Sequence, residues 1–238
     1  MKAFADWCDQ YRAEGFAIVP GVLKKLQVRE LIAATNSLPK GSDRQRGGIR
    51  NLLDGSPAIR SLATSPIILR IAASLLDARV FPVRGILFDK TDGANWKVPW
   101  HQDLTIEVAE KLEMEGFGPW SVKDGVQRVQ PPSCILERML SIRIHLDDCP
   151  EENGALRVVP GSHKAGRLPE SESAKIGSRG PVVVCAVSAG DAMVMSPLIV
   201  HSSSVSERPG HRRVIHLDYA DVMLPDGLRW ASQRDDQS

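Results

Sequence analysis

The chain has 238 residues, 42% of them hydrophobic, with 30 basic against 29 acidic side chains and a formal net charge of +1. That length suits one large domain or two small ones with a sizeable core, and the near-balanced charge gives no support for nucleic-acid binding. No apolar run reaches the roughly 18 residues of a spanning helix, the start MKAFADWCDQ has no apolar signal region, and Cys8, Cys134, Cys149 and Cys185 form no CxxC pair. No membrane partner and no disulfide framework is therefore expected, and a cytoplasmic setting is.

Residues 3 to about 14 read as a short amphipathic helix with Phe4, Trp7, Cys8 and Tyr11 on one face. Gly15 ends it, and Phe16-Ala-Ile-Val19 is a short β-type run closed by Pro20-Gly21. Val22 to Leu38 returns to helical spacing. Residues 39–51 (PKGSDRQRGGIRN) read as a basic loop whose Arg44, Arg46 and Arg50 could reach an anionic substrate. Ser56-Pro57 is a helix-start signal, and one or two helices are expected within Ala58 to Leu76.

From Val80 the texture becomes β. Arg79 to Lys90 is a predicted strand, Thr91 to Asn95 a turn, and Trp96 to Thr105 a second strand. Residues 106–138 contain GFGPWSVKDGVQRVQPPS and read as a long irregular insertion, the usual texture of a lid or a disordered segment. Met139 to Leu146 is a strand with Ser141, Arg143 and His145 on one face and Ile142, Ile144 and Leu146 on the other. Further strands are expected over 155–159, 181–187, 192–195, 198–201 and 212–220, with a loop over 164–180 and a fraying tail from Leu224. A helical N-terminal third followed by many short strands means a mainly β sandwich or barrel.

The chemistry concentrates at Trp100-His101-Gln102-Asp103. Side chains two apart on a strand share a face, so His101 and Asp103 can reach one ion. His201 ends another predicted strand, and Arg212-Arg213 begins a third. Two imidazoles and one carboxylate form the facial triad of non-haem Fe(II) oxygenases. Ser203, Arg84 and Lys90 are candidates for meeting a carboxylate of a co-substrate or substrate. Trp96 and Trp120 are candidates for lining the mouth.

Three blocks, Trp100-His101-Gln102-Asp103, ENGALRVVPGSH over 152–163, and His201 with Arg212-Arg213, resemble the phytanoyl-CoA dioxygenase family of Fe(II)/2-oxoglutarate-dependent oxygenases. The resemblance covers roughly residues 80–220. It implies a double-stranded β-helix, that is, a cupin-like jelly roll. It also implies His101, Asp103 and His201 as iron ligands, with Arg212 rather than Arg213 binding the distal carboxylate of 2-oxoglutarate. The expected organisation is one domain over 1–238, with a helical prelude to residue 78, a jelly-roll core over 79–222 and an active-site lid over 104–138.

The implied activity is hydroxylation of a small-molecule substrate using Fe(II), 2-oxoglutarate and O2, with release of succinate and CO2. Asp103 argues against halogenating relatives, which carry a small residue there. The alternatives are desaturation, epoxidation or cyclisation with the same cofactors, or a non-catalytic cupin-like binding protein. Neither the primary substrate nor the oligomeric state is legible.

Overall fold

In the computed structural model, residues 4–38, 48–207 and 210–233 are described; Arg44 and Arg46 of the basic loop lie outside them. The helices are α1 (Phe4–Glu14), α2 (Lys25–Asn36), α3 (Leu52–Gly55), α4 (Pro57–Ala63), α5 (Pro66–Leu76), α6 (Ser133–Leu136) and α7 (Glu170–Arg179). In α5 the buried residues Ile68, Ile71, Ala72 and Leu75 fall at i, i+3, i+4 and i+7, one apolar stripe. Ser56 caps α4, its hydroxyl accepting from the N–H of Ile59 at 3.4 Å, with Pro57 at the first helical position. Among the described residues no single helix is long and apolar enough to cross a membrane.

The strands are β1 (Phe16–Val19), β2 (Phe81–Lys90), β3 (Val98–His101), β4 (Ile106–Val108), β5 (Trp120–Lys123), β6 (Val126–Val129), β7 (Met139–His145), β8 (Leu156–Val158), β9 (Val183–Cys185), β10 (Ala192–Met195), β11 (His201–Ser203) and β12 (Arg212–Ala220). They form a five-stranded sheet β1-β10-β7-β12-β2, a four-stranded sheet β3-β11-β8-β9 and a three-stranded sheet β4-β6-β5. The fold is a jelly roll with N-terminal helices. The first strand of the helical prelude is itself part of the large sheet, Phe16 to Val19 pairing with Met195 to Ala192.

The large sheet is buried on both faces, and the two faces differ in kind. Leu140, Ile142 and Ile144 of β7 and Ile215, Leu217 and Tyr219 of β12 join the helices in the main apolar core. Tyr219 donates its hydroxyl to the carbonyl of Ala63 in α4 at 2.8 Å. The alternate residues Ser141, Arg143 and His145 of β7 and Arg212, His216 and Asp218 of β12 are buried on the opposite, inner face. Register sets Asp218 beside Arg84 and Ser141, and His216 beside Arg143.

Three expectations are corrected. Residues 106–129 are not irregular throughout: 106–108, 120–123 and 126–129 form the three-stranded sheet, turned at Asp124-Gly125, both at positive φ (53° and 76°) as a two-residue hairpin turn requires. The loop over 164–180 contains α7, which packs through small residues; a Cβ on Gly177 would lie 2.1 Å from the Trp100 ring. The tail does not fray through residue 233, because Leu224, Leu228 and Trp230 are buried with Ile106, Val108 and Val129 and the N–H of Ala109 donates to the carbonyl of Arg229 at 2.9 Å.

Candidate active site

His101 is the last residue of β3, and Asp103 stands two residues beyond it. Between them Gln102 turns the other way. Its amide nitrogen donates to the carbonyls of Leu198 (2.6 Å) and Gly166 (2.8 Å), and its amide oxygen accepts from the N–H of Leu168 (2.8 Å). The N–H of Asp103 donates to the carbonyl of Pro197 at 2.9 Å. These bonds hold positions 101 and 103 on one side although the strand has ended.

His201 opens β11, directly paired with His101, and the two rings lie 4.2 Å apart between centroids. Each ring has its Nδ1 on a main-chain carbonyl, Pro99 at 2.8 Å and Ile199 at 2.9 Å. A carbonyl only accepts, so each Nδ1 carries a proton and Nε2 is the nitrogen left to ligate an ion. Those Nε2 atoms are each 3.7 Å from a carboxylate oxygen of Asp103, and the three donor atoms lie within 4.8 Å of one another. Burial, then the charge of His101, pushes His201 down to about 3, so it is neutral at ordinary pH. Burial alone would raise Asp103, but the two imidazoles hold it well below the usual carboxylate range. Burial lowers His101, but its hydrogen bond to Asp103 and the charge there raise it above the ordinary imidazole range, a place that a bound cation would take from the proton. Two imidazole nitrogens and one carboxylate, converging on one point, fit a single divalent ion.

The block over 152–163 holds this corner together. Gly154 has φ +65°, and a Cβ there would lie 2.6 Å from the carbonyl oxygen of Ser204. The carbonyl of Gly154 accepts from Arg212 Nη1 and from the hydroxyl of Ser203 (3.0 Å). Ser162 donates to the carbonyl of Val159 at 2.7 Å and accepts from the N–H of Val200 at 2.9 Å, fixing the residue before His201.

A cavity of about 170 Å³ lies over the three candidate ligands and includes Arg212, Ser203, Arg84 and Arg143. Arg212 is buried, its Nη1 is 3.4 Å from the Ser203 hydroxyl, and its Nε has no hydrogen-bond partner. Arg213 points away and clamps Asp147 with Nε and Nη2, both at 2.8 Å. Arg84 is on the cavity wall but is already committed: its Nε pairs with Asp218, and Nη1 donates to the carbonyl of Thr105 at 3.1 Å. Lys90 lies beneath Ser203, donating to its hydroxyl at 2.9 Å and to the carbonyl of Ser204. Trp96 lines the cavity; Trp120 packs instead in the cluster under the third sheet.

Sequence reasoning passed over Asp218 and Arg128. Asp218 accepts from Ser141 (2.6 Å), His216 (2.9 Å) and Arg84, while Arg143 donates to the other nitrogen of His216 at 3.0 Å. The signal was present: Arg212, His216 and Asp218 share one face of β12 by alternation. Arg128 sits on β6, where Gly and Pro on either side mask the strand's alternation.

A family model described as phytanoyl-CoA dioxygenase matches residues 5–214, most of the chain. The chain belongs to the phytanoyl-CoA dioxygenase family. As a member it is a 2-oxoglutarate-dependent dioxygenase. Its relatives include an L-proline trans-4-hydroxylase of Streptomyces griseoviridis, 25% identical over 90% of this chain and 85% of that protein. Two similar solved structures are EctD from S. alaskensis with 2-oxoglutarate and 5-hydroxyectoine (TM-score 0.71, 22% identity, 92% of this chain, 76% of that one) and the α-ketoglutarate-dependent epimerase SnoN from nogalamycin biosynthesis (0.70, 24%, 93% and 82%). At those identities the two structures speak for the fold.

Proposed function

We propose that this phytanoyl-CoA dioxygenase family member hydroxylates a small organic substrate, with His101, Asp103 and His201 holding Fe(II) and Arg212 holding 2-oxoglutarate. One observation carries the reading: the three donor atoms and a buried arginine with an unpartnered Nε open on the same cavity. Iron, 2-oxoglutarate and O2 together supply the oxidation, with succinate and CO2 released.

The chain's own residues bind and orient. The carbonyls of Pro99 and Ile199 keep both imidazoles in the ligating tautomer. Arg212 offers a planar fork to the distal carboxylate, with the Ser203 hydroxyl beside it. The bidentate bond of Arg213 to Asp147 supports Arg212 for that role. The segment 104–138 serves as the cover of the site; Thr105 and Arg128 reach the open side of the metal centre from it, which supports that role.

Anaerobic titration of Fe(II)-loaded protein with 2-oxoglutarate is expected to raise the visible absorption of the chelate. Arg212→Gln should raise the 2-oxoglutarate KM by at least about tenfold, as loss of a charged hydrogen bond implies, and Arg213→Gln should leave it unchanged. Alanine at His101, Asp103 or His201 should reduce 2-oxoglutarate turnover to background. Full turnover in any of these three, or a larger effect at Arg213 than at Arg212, overturns the assignment. Product mass and NMR separate hydroxylation from desaturation, epoxidation or cyclisation.

A further inference from the structure

Arg212 accounts for one of five arginines on the cavity wall; the others are Arg50, Arg84, Arg128 and Arg143. Two groups separate by their neighbours. Arg212 lies with Lys90, Ser203 and Gly154 at the end lined by β11 and the 152–163 block. Arg50, Arg84 and Arg128 gather at the opposite end, under the three-stranded sheet. There burial, and then the charges of Arg84 and Arg50, pull the guanidinium of Arg128 below its ordinary range.

The partners at this end are incomplete. Arg84 is matched by Asp218. Arg128 donates from Nη2 to the Thr105 hydroxyl at 2.5 Å, but its Nε is 3.9 Å from Glu107, too long for a hydrogen bond, and is buried without a partner. Arg50 meets Asp124 at 3.3 Å through Nη1, and its Nε is likewise buried and unpartnered. Leaving a buried charged donor unmatched is costly. Two such arginines on the wall of one cavity offer a site for an anion with two oxygens.

The position fits the primary substrate better than the co-substrate. A second, wider cavity of about 650 Å³ meets the first at His101 and Asp103 and includes Thr105, the residue that Arg128 holds. A molecule entering there passes over the metal side of Asp103 and brings its end toward Arg128.

We propose that the primary substrate is a small carboxylate, its carboxyl group taken by Arg128 with Arg50 beside it, across the metal centre from Arg212. This rests on the 2-oxoglutarate reading above for the assignment of Arg212.

The test is calorimetric titration of the protein, loaded anaerobically with Fe(II) and 2-oxoglutarate. The probes are matched pairs: L-proline with L-prolinamide, and small monocarboxylates with their primary amides. At least one acid should bind about tenfold or more tightly than its amide, the effect of one charge-assisted hydrogen bond. Arg128→Gln should abolish that preference, Arg128→Lys should retain part of it, and Arg213→Gln should retain all of it. Arg50→Gln should weaken the preference and serves as the second variant if Arg128→Gln does not fold.

Amides binding as well as acids, no acid binding at all, or an unchanged preference in Arg128→Gln overturns the proposal. Loss of 2-oxoglutarate binding itself in Arg128→Gln would move the residue to the co-substrate and also overturn it. If the wild type takes up no 2-oxoglutarate, the cofactor reading fails separately. The acid and amide pairs are then titrated into metal-free protein, where a preference removed by Arg128→Gln still upholds the carboxylate site.

Discussion

The two faces of the large sheet are built by the same strands and both are buried, yet they do opposite work. On the outer face Leu140, Ile142, Ile144, Ile215 and Leu217 pack against the helices, each contributing about 1.5–3 kcal/mol by leaving water. On the inner face Arg84, Arg143, His216 and Asp218 are buried as well. Desolvating such groups costs several kcal/mol per ion and is returned only by complete pairing. Asp218 attains that pairing through Arg84, Ser141 and His216. An apolar inner face would hold the sheet at least as well, so the charged one exists for what binds against it.

The inner face is most sensitive at Asp218. Asp218→Asn leaves Arg84 buried without its counter-charge, and unfolding in urea should show a loss of about 3–5 kcal/mol. Removing both charges together, in an Arg84→Met/Asp218→Leu double variant, should recover most of that loss while activity stays low. A cost under about 1 kcal/mol in the single variant would show that Asp218 does not compensate a buried charge on Arg84.

Lys90 sharpens the contrast through pH. Burial, then the charge of Arg212, lowers its pKa to about 7, against 10.5 for a free lysine. Between those values the native amine is neutral while the unfolded one is charged, so the unfolded state binds more protons. Stability therefore rises with pH across that window, by at most about 1.4 kcal/mol per pH unit, and Lys90 penalises the fold fully below about pH 7. Lys90→Met should flatten the rise in urea-unfolding free energy between pH 7 and 9. A slope equal to that of the wild type would show Lys90 to be charged in the native protein.

The same contrast explains what could be read in the sequence. The outer face was legible because apolar period 2 and period 3.6 are local signals, as in α5 and β7. His101, Asp103 and His201 stood out through the two-residue spacing of the first pair and the family resemblance, which also singled out Arg212; β3 in fact ends at His101, so the shared side of Asp103 comes from the bonds around Gln102. Helix α7 was not found because its buried positions are Ser173 and Gly177, which give no apolar stripe; small residues were needed to admit Trp100. Strands β5 and β6 were hidden among Gly and Pro, although Asp124-Gly125 was a hairpin signal. Arg84 and Asp218 are 134 residues apart in sequence, and Arg128 meets Arg50 and Arg84 through a third sheet. Such pairings are set by sheet order, which no local pattern states.

The mildest perturbation tests the division of labour most cleanly. Ile142 is fully buried on the outer face of β7, one residue from Arg143 on the inner face. Ile142→Val removes one methylene group from the core, and the expected cost is about 0.5–1.5 kcal/mol with no new polar group exposed. Because successive side chains point to opposite faces, the inner wall should not move, and kcat/KM per folded molecule should stay at the wild-type value. An urea-unfolding loss of that size with unchanged turnover supports two faces that act independently. A fall in kcat/KM beyond the folded fraction would show that packing against the helices sets the placement of Arg143 and His216, and the outer face would then count as part of the site's positioning.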